Sequence, residues 1–294
     1  MSYHLSFGER LFQIVNKMLL VIIALACILP MINIIAISLS QNSAVMAGVV
    51  KLWPVKFTIQ PYVYVLQRMA FWRAFLITLE RVFIGVPISM FITIMVGYPL
   101  SKPKEKFRAR SIYVWIFFFT MLFSGGMIPS YLLVRNLGFL DTIWALVLPA
   151  SVNVFNIILL LNFFRQIPPE LEDSAFMDGA GHFRIMWSIY LPTSLAALAT
   201  VGLFTIVANW NAWFDGLIYM NNPENYPLQT YLQSIVVRFD FRTMTPREIA
   251  ALMQMNVRSV KGAQMIVGAL PILMAYPFLQ KYFVKGITLG SVKG

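Results

Sequence analysis

Four of the twelve carboxylates in the chain, Glu170, Glu172, Asp173 and Asp178, lie in the stretch from Pro168 to Pro192, between long apolar segments. Acidic residues at this spacing make ionic and dipolar contacts. Pro168 and Pro169 suit a helix start, and Glu170, Glu172 and Asp173 place negative charge in its first turn, where the backbone dipole favours it. Asp178 and Gly179 then end that helix, the glycine supplying the left-handed conformation of a tight reversal. A second short helix is expected from about Gly181 to Tyr190, before Leu191 and Pro192. Ser174, Ala175 and Ala180 allow close approach, and Phe176 and Met177 are apolar anchors. A helix, turn, helix of this make-up is shaped to seat in a groove on another subunit.

Other chemistries lack their residues. No G-x-x-x-x-G-K-[ST] phosphate loop occurs, so the chain is not expected to bind and hydrolyse nucleotide by itself. The two histidines, His4 and His182, are far apart, and no H-E-x-x-H or paired-cysteine motif is there to hold a metal. Lone Cys27 reads as a small apolar filler, and Gly125 with Gly126 as a helix end or close-packing point. No catalytic residue, bound cofactor or metal ligand is expected, which leaves transport or scaffolding.

The elements that must position the acidic segment are apolar. With 59% of residues hydrophobic, 12% charged and a mean hydropathy of +0.72, the composition is that of an integral membrane protein. The windows Met18 to Leu39, Val82 to Ser101, Ser111 to Val134, Thr142 to Phe164, Ile185 to Phe214 and Gly262 to Gln280 are uncharged and long enough to span. Each is expected to be one helix, because in hydrocarbon a helix satisfies its own backbone groups. The second is expected to begin nearer Phe75 and the fifth nearer Thr193. Pro30, Pro87, Pro149 and Pro271 are expected to kink or end helices. Met18 to Leu39 is too long for a cleavable signal and lacks a small-residue cleavage site. The expected fold is all-α and polytopic, residues 1–294 forming a single transmembrane domain of six helices.

Orientation follows from loop charge. Lys102, Lys104, Lys106, Arg108 and Arg110 crowd the connection after the second window, whereas Arg135 is the sole basic residue after the third. The first connection is therefore expected in the cytoplasm, with both termini and the 168–192 segment, in a bacterial inner membrane. The net charge of +11 fits this topology and contact with the lipid bilayer. Nucleic acid is not expected as a partner, since no basic, aromatic-interleaved soluble module occurs.

The acidic segment resembles the signature of binding-protein-dependent ABC importer permeases: E-A-A, three residues, G, nine residues, I-x-L-P. Here it reads Asp173, Ser174, Ala175, then Gly179, then Ile189, Leu191 and Pro192, with Asp178 before the glycine as in the sugar importers. Asp stands where the family usually has Glu, and Ser where it has the first Ala, so the carboxylate sits on a shorter arm. The resemblance extends through TMLFSGGMIPSYLLVRNLGFLDT, NWNAWF and the tail YPFLQKYFVKGITLGSVKG. It is similar to the second permease of maltose-type importers, and within these to the alginate and polygalacturonate group. That resemblance implies a type I ABC importer permease fold working by alternating access. It also implies as partners a homologous permease subunit, two ATPase subunits that bind ATP and Mg, and an extracytoplasmic solute-binding protein. The coupling helix would be Glu172, Asp173, Ser174, Ala175, Phe176, Met177, Asp178 and Gly179, seated on an ATPase, with a cytoplasmic tail 281–294 including Lys281, Lys285 and Lys293 alongside.

Polar residues inside apolar windows mark a candidate substrate path. Asn153 and Asn156, at i and i+3, are expected to share a helix face, and Asn209, Trp210, Asn211, Trp213 and Asp215 cluster in the fifth window. Amide and aromatic side chains suit an oligosaccharide, although interhelical hydrogen bonds and an interfacial belt explain the same residues. Glu80 and Arg81 are expected near the outer end of the second window, where they could pair with neighbouring helices. The loop 221–261 is expected outside, with a capping-box helix from Thr245, Pro246, Arg247 and Glu248. The favoured cargo is an acidic oligosaccharide such as one from alginate, with neutral sugars as the alternative. A secondary transporter independent of ATP is a reading of another class, disfavoured by the absence of internal repeats or a proton-relay series.

Overall fold

The computed structural model describes residues 7–237 and 256–291. Among these, every regular element is a helix, and an isolated bridge between Ser40 and Phe57 is the sole ladder contact. The helices are α1 Phe7–Ser38, α2 Asn42–Met46, α3 Gln60–Leu66, α4 Met69–Ser101, α5 Arg110–Leu122, α6 Met127–Asn136, α7 Ile143–Val147, α8 Val154–Phe164, α9 Pro169–Met177, α10 His182–Thr193, α11 Leu195–Asn211, α12 Phe214–Tyr219, α13 Leu228–Val237 and α14 Val257–Ser291. They form two compact units, one of residues 1–69 with 235–269 and one of 70–234 with 270–294.

In the first unit α1 is uncharged from Met18 to its end, and from Leu11 to Met31 its large hydrophobic side chains are exposed, as a lipid-facing surface requires. Its C-terminal end is packed. Ala36 and Ser38 are buried, and the Ser40 hydroxyl donates to Ala36 O while accepting from Val55 N. Gly262 in α14 meets α1 so closely that a Cβ would lie 3.1 Å from Ile34 O, the close approach that small residues permit between membrane helices.

In the second unit α4 is the long strut. Its buried residues Phe71, Ala74, Thr78, Arg81, Gly85, Ser89, Thr93, Gly97 and Leu100 recur every three or four positions and so form one stripe. The stripe is small and polar rather than greasy, which lets other helices approach: Cβ atoms at Gly85 and Gly97 would touch Asn209 and Leu160 respectively. The helix starts at Met69, earlier than expected, and carries Pro87 and Pro99 without a break.

Three of the six expected spans are not single helices. The Ser111 to Val134 window is α5 and α6, bent by 110° around residues 123–126. Gly126 takes a φ of +86° as the N-cap of α6, so the glycine pair lies in the turn between the two helices. The Thr142 to Phe164 window breaks between α7, which ends at Val147, and α8, which begins at Val154, with Pro149 inside the break. The Ile185 to Phe214 window bends by 84° at Ser194, close to the expected Thr193 boundary, and ends at Asn211 before a further short helix. Hydropathy measures solvent preference and is blind to such bends. By contrast Met18 to Leu39 falls on α1 but for its last residue, Val82 to Ser101 falls within α4, and Gly262 to Gln280 falls within α14. Helix α14 continues to Ser291 through most of the expected 281–294 tail, while Lys293 and the expected helix from Thr245 lie outside the described residues.

Candidate functional site

Helix α9 begins as its prolines and acidic residues dictate, with Pro169 at the first position and Glu170 and Glu172 in the first turn. It ends at a C-cap on Asp178, and Gly179 takes a φ of +79°. Gly179 N donates to Phe176 O and Ala180 N to Ala175 O, both at 2.9 Å, closing the last carbonyls of the helix. The chain then enters α10, whose residues Met186 to Tyr190 form a π-helical turn. Ile185, Met186, Tyr190 and Leu191 pack with Tyr98, Leu160 and Phe164 in one apolar cluster, against which Ala175 and Ala180 also rest.

The expected contact residues of this loop divide between two faces. Asp173, Ser174, Phe176, Met177, Asp178 and Gly179 are exposed, Met177 by 89%. Ala175 is half-buried, and Glu172 faces the protein interior. The Glu172 carboxylate accepts from Lys102 Nζ at 2.7 Å and from Tyr190 Oη at 2.6 Å, with Lys106 Nζ 3.7 Å from its other oxygen. Lys102 Nζ also lies 3.9 Å from the ring centroids of both Tyr98 and Tyr190, a cation between two aromatic faces. Lys106 donates to Asp173 at 2.9 Å. His182 Nδ1 is 3.3 Å from Tyr98 Oη, and its ring packs edge-on to Phe176.

Burial alone would raise the Glu172 pKa, but the bonds from Lys102 and Tyr190 and the two lysine charges outweigh it and hold the carboxyl below its ordinary value. The hydrogen bond to Asp173 raises Lys106. Burial draws Lys102 downward, against the pull of Glu172. The carboxylate form of Glu172 is the direction that the geometry supports, since every polar contact to it is a donor. Lys102 and Lys106 are two of the residues that set the expected orientation. Here they also tie the 102–110 connection to α9.

A second polar cluster lies along the α4 stripe. A cavity of about 300 Å³ is lined by Arg81, Ser89, Asn153, Asn156, Thr205, Asn209 and Asp215, among others. Four of the expected path residues therefore meet: Asn153, Asn156, Asn209 and Asp215. Asn153 and Asn156 do not share a helix face, because Asn153 precedes α8 as its N-cap and its Oδ1 accepts from Asn156 N at 3.1 Å. Asn156 Nδ2 donates to Thr205 Oγ1 at 3.2 Å. The remaining three residues are elsewhere. Trp210 is buried edge-on against Phe75, Trp213 packs edge-on to Phe214, and Asn211 is exposed. Asp215 is not in the fifth window's long helix but in the first turn of α12.

Sequence reasoning placed Arg81 at a helix end and gave it no part in the path. It is 1% exposed on the buried stripe of α4, where it makes a two-pronged ion pair with Asp215. A charged residue within an apolar helix signals such a partner, and that signal was present in the sequence. Ser89 and Thr205 carry no comparable signal.

No family model matches the chain. Across 286 residues it is 38% identical to the polygalacturonan/rhamnogalacturonan transport system permease protein YtcP of Bacillus subtilis (strain 168), covering 97% of this chain and 99% of that one. The chain belongs to the sugar-importer permeases of the ABC transporters. Protein LplC of the same organism is 38% identical over 293 residues, with 100% and 98% covered. A solved bacterial ABC transporter involved in import of the acidic polysaccharide alginate contains a chain that superposes with a TM-score of 0.88 at 35% identity, covering 96% of this permease and 100% of that chain. Within this permease, the loop carrying the family signature is therefore packed by the Glu172 cluster, and the polar cavity is formed between α4, α8, α11 and α12.

Proposed function

We propose that this permease carries acidic oligosaccharides inward by alternating access, driven by ATPase subunits that seat on the 169–179 loop. The observation that carries the reading is the near full-length similarity to a polygalacturonan/rhamnogalacturonan permease, together with the alginate-importer fold at 35% identity. Both relatives are named for polymers of uronic acids or containing them.

In this reading Asp173, Phe176 and Met177 meet an ATPase, because they are exposed on the loop and offer it one charge and two apolar side chains. Glu172 positions them: its buried bonds join α9 to the end of α4 and to α10, so a push on the loop moves those helices as one. ATP and Mg are bound by the partner subunits, and a second permease completes the path. A solute-binding protein delivers the sugar from outside. The termini and the 168–192 segment lie in the cytoplasm, as the basic 102–110 connection supports.

The test is reconstitution of the chain with its partner permease, ATPases and binding protein in proteoliposomes. ATP-dependent uptake of oligogalacturonides or alginate oligomers is expected, and none without ATP. Uptake by this chain alone, with no ATPase, would place it among secondary transporters. Uptake of neutral oligosaccharides in preference to uronates would replace the acidic cargo with a neutral one.

A further inference from the structure

The cavity beside α4 holds more than the sugar-path residues expected of it. The Arg81 guanidinium is fully buried and lies fork to fork on the Asp215 carboxylate, Nη1 3.2 Å from Oδ1 and Nη2 bonded to Oδ2, while its Nε is 3.3 Å from Asn209 Oδ1. Ser89, 2% exposed, lines the same cavity, and its buried hydroxyl has no hydrogen-bond partner. A buried hydroxyl without a partner is costly unless a ligand or water completes it. The cavity also presents the amides of Asn153 and Asn156.

We infer that this cavity is a uronate subsite, in which Arg81 selects the cargo by exchanging the Asp215 carboxylate for the carboxylate of the sugar. The inference rests on the acidic-oligosaccharide reading above. The two members of the ion pair are held unequally: the Arg81 side chain is 1% exposed and fixed on the longest strut of the unit, while that of Asp215 is 23% exposed. Asp215 is the second residue of the short helix α12, close to the non-helical Ala212 and Trp213 that join it to α11, and its other bond is from Gly216 N at 2.9 Å. It is the partner that solvent and a ligand can reach. Parting the pair with nothing in exchange leaves a guanidinium buried and uncompensated, which is strongly unfavourable. A uronate carboxylate presents the same two coplanar oxygens to the fork, whereas the hydroxymethyl group of a neutral sugar does not. The exchange is thus open to acidic sugars and closed to neutral ones, with Ser89 and the asparagine amides left to meet ring hydroxyls.

The experiment uses the complete reconstituted transporter and compares uptake of galacturonate and mannuronate oligomers with their methyl esters, which lack the charge. The double variant Arg81→Gln with Asp215→Asn removes both charges and leaves no ion buried alone, and co-purification with the partner subunits reports assembly. Uptake efficiency for the acids is expected to fall about ten- to hundred-fold, the worth of a charge-assisted bond, with the esters changed less than about threefold. Equal loss for acid and ester would overturn the subsite. Arg81→Lys keeps the charge without the fork and is expected to give an intermediate loss for the acids; acid preference at the unmodified level in that variant would also overturn it. An unmodified transporter that prefers the esters fails the acidic reading itself, and with it the subsite, whatever the variants do.

Discussion

Lys102 and Glu172, 70 positions apart, meet inside the protein at 2.7 Å, with side chains 6% and 4% exposed. The pair joins the C-terminal end of α4 to the helix that carries the family signature. Removing one partner of a buried pair leaves the other charge stranded, at a cost of about 3–5 kcal/mol. Glu172→Ala is therefore expected to lower the thermal unfolding temperature of the purified complex, and Glu172→Gln to do so less, since an amide oxygen still accepts from Tyr190. A double-mutant cycle with Lys102→Ala should show strong coupling. Additive effects would mean that the pair does not hold α9.

The same cluster sets a pH window. Glu172 is held below its ordinary 4.5, so its contribution is complete above 4.5 and is lost as pH falls through the lower folded value. Lys106 is raised above its ordinary 10.5, so its contribution is complete below 10.5 and is lost as pH rises through the higher folded value. Protection of α9 amides, with the intrinsic pH dependence of exchange divided out, is expected to fall as pH drops below 4.5. On the alkaline side Lys102, held below 10.5 by burial, sets the limit before Lys106 does. In Glu172→Gln the acid-side change should disappear.

Gly179 has a φ of +79°, and a Cβ there would meet nothing within 4 Å. The penalty of substitution is thus backbone strain rather than a clash, about 1–2 kcal/mol for an ordinary residue. Gly179→Val is expected to displace the exposed face of α9 and uncouple ATP hydrolysis from uptake. Gly179→Asn, which tolerates the left-handed region better, should keep most of the coupling. Equal transport by both variants in intact complexes would count against the coupling role.

Gly85 brings α4 against the cavity, since a Cβ at this position would lie 3.1 Å from Asn209 Oδ1. Asn209 cannot retreat freely, because its Nδ2 donates to Thr205 O at 2.9 Å. Gly85→Ala is expected to push Asn209 off the Arg81 Nε and cost about 1–2 kcal/mol of stability. The readout is a fall in uptake efficiency larger than that caused by alanine at Gly202, where a Cβ would only graze Met90.

Much of the 169–179 loop was legible because its signals are local. Prolines and acidic residues start α9, a glycine ends it, and small residues at Ala175 and Ala180 pack inward. The inward turn of Glu172 was not legible, since alternating acidic residues look alike until a helix is laid on something. The cavity was half legible. Asn153, Asn156, Asn209 and Asp215 announce themselves as polar residues in apolar runs, but Trp210, of the same kind of signal, turned out to be packing against Phe75.

By itself the sequence determined that this is an all-helical membrane protein, where its signature loop lies, and where a glycine must turn the chain. Composition, spacing and backbone preference act over a few residues and need no partner to be read. Tertiary structure alone decided that Arg81 faces Asp215 across 134 positions, that Glu172 is buried while Asp173 is exposed, and that two apolar windows bend and a third breaks. Those outcomes depend on which helix faces meet, and a buried charge takes its role from the group that packing sets against it.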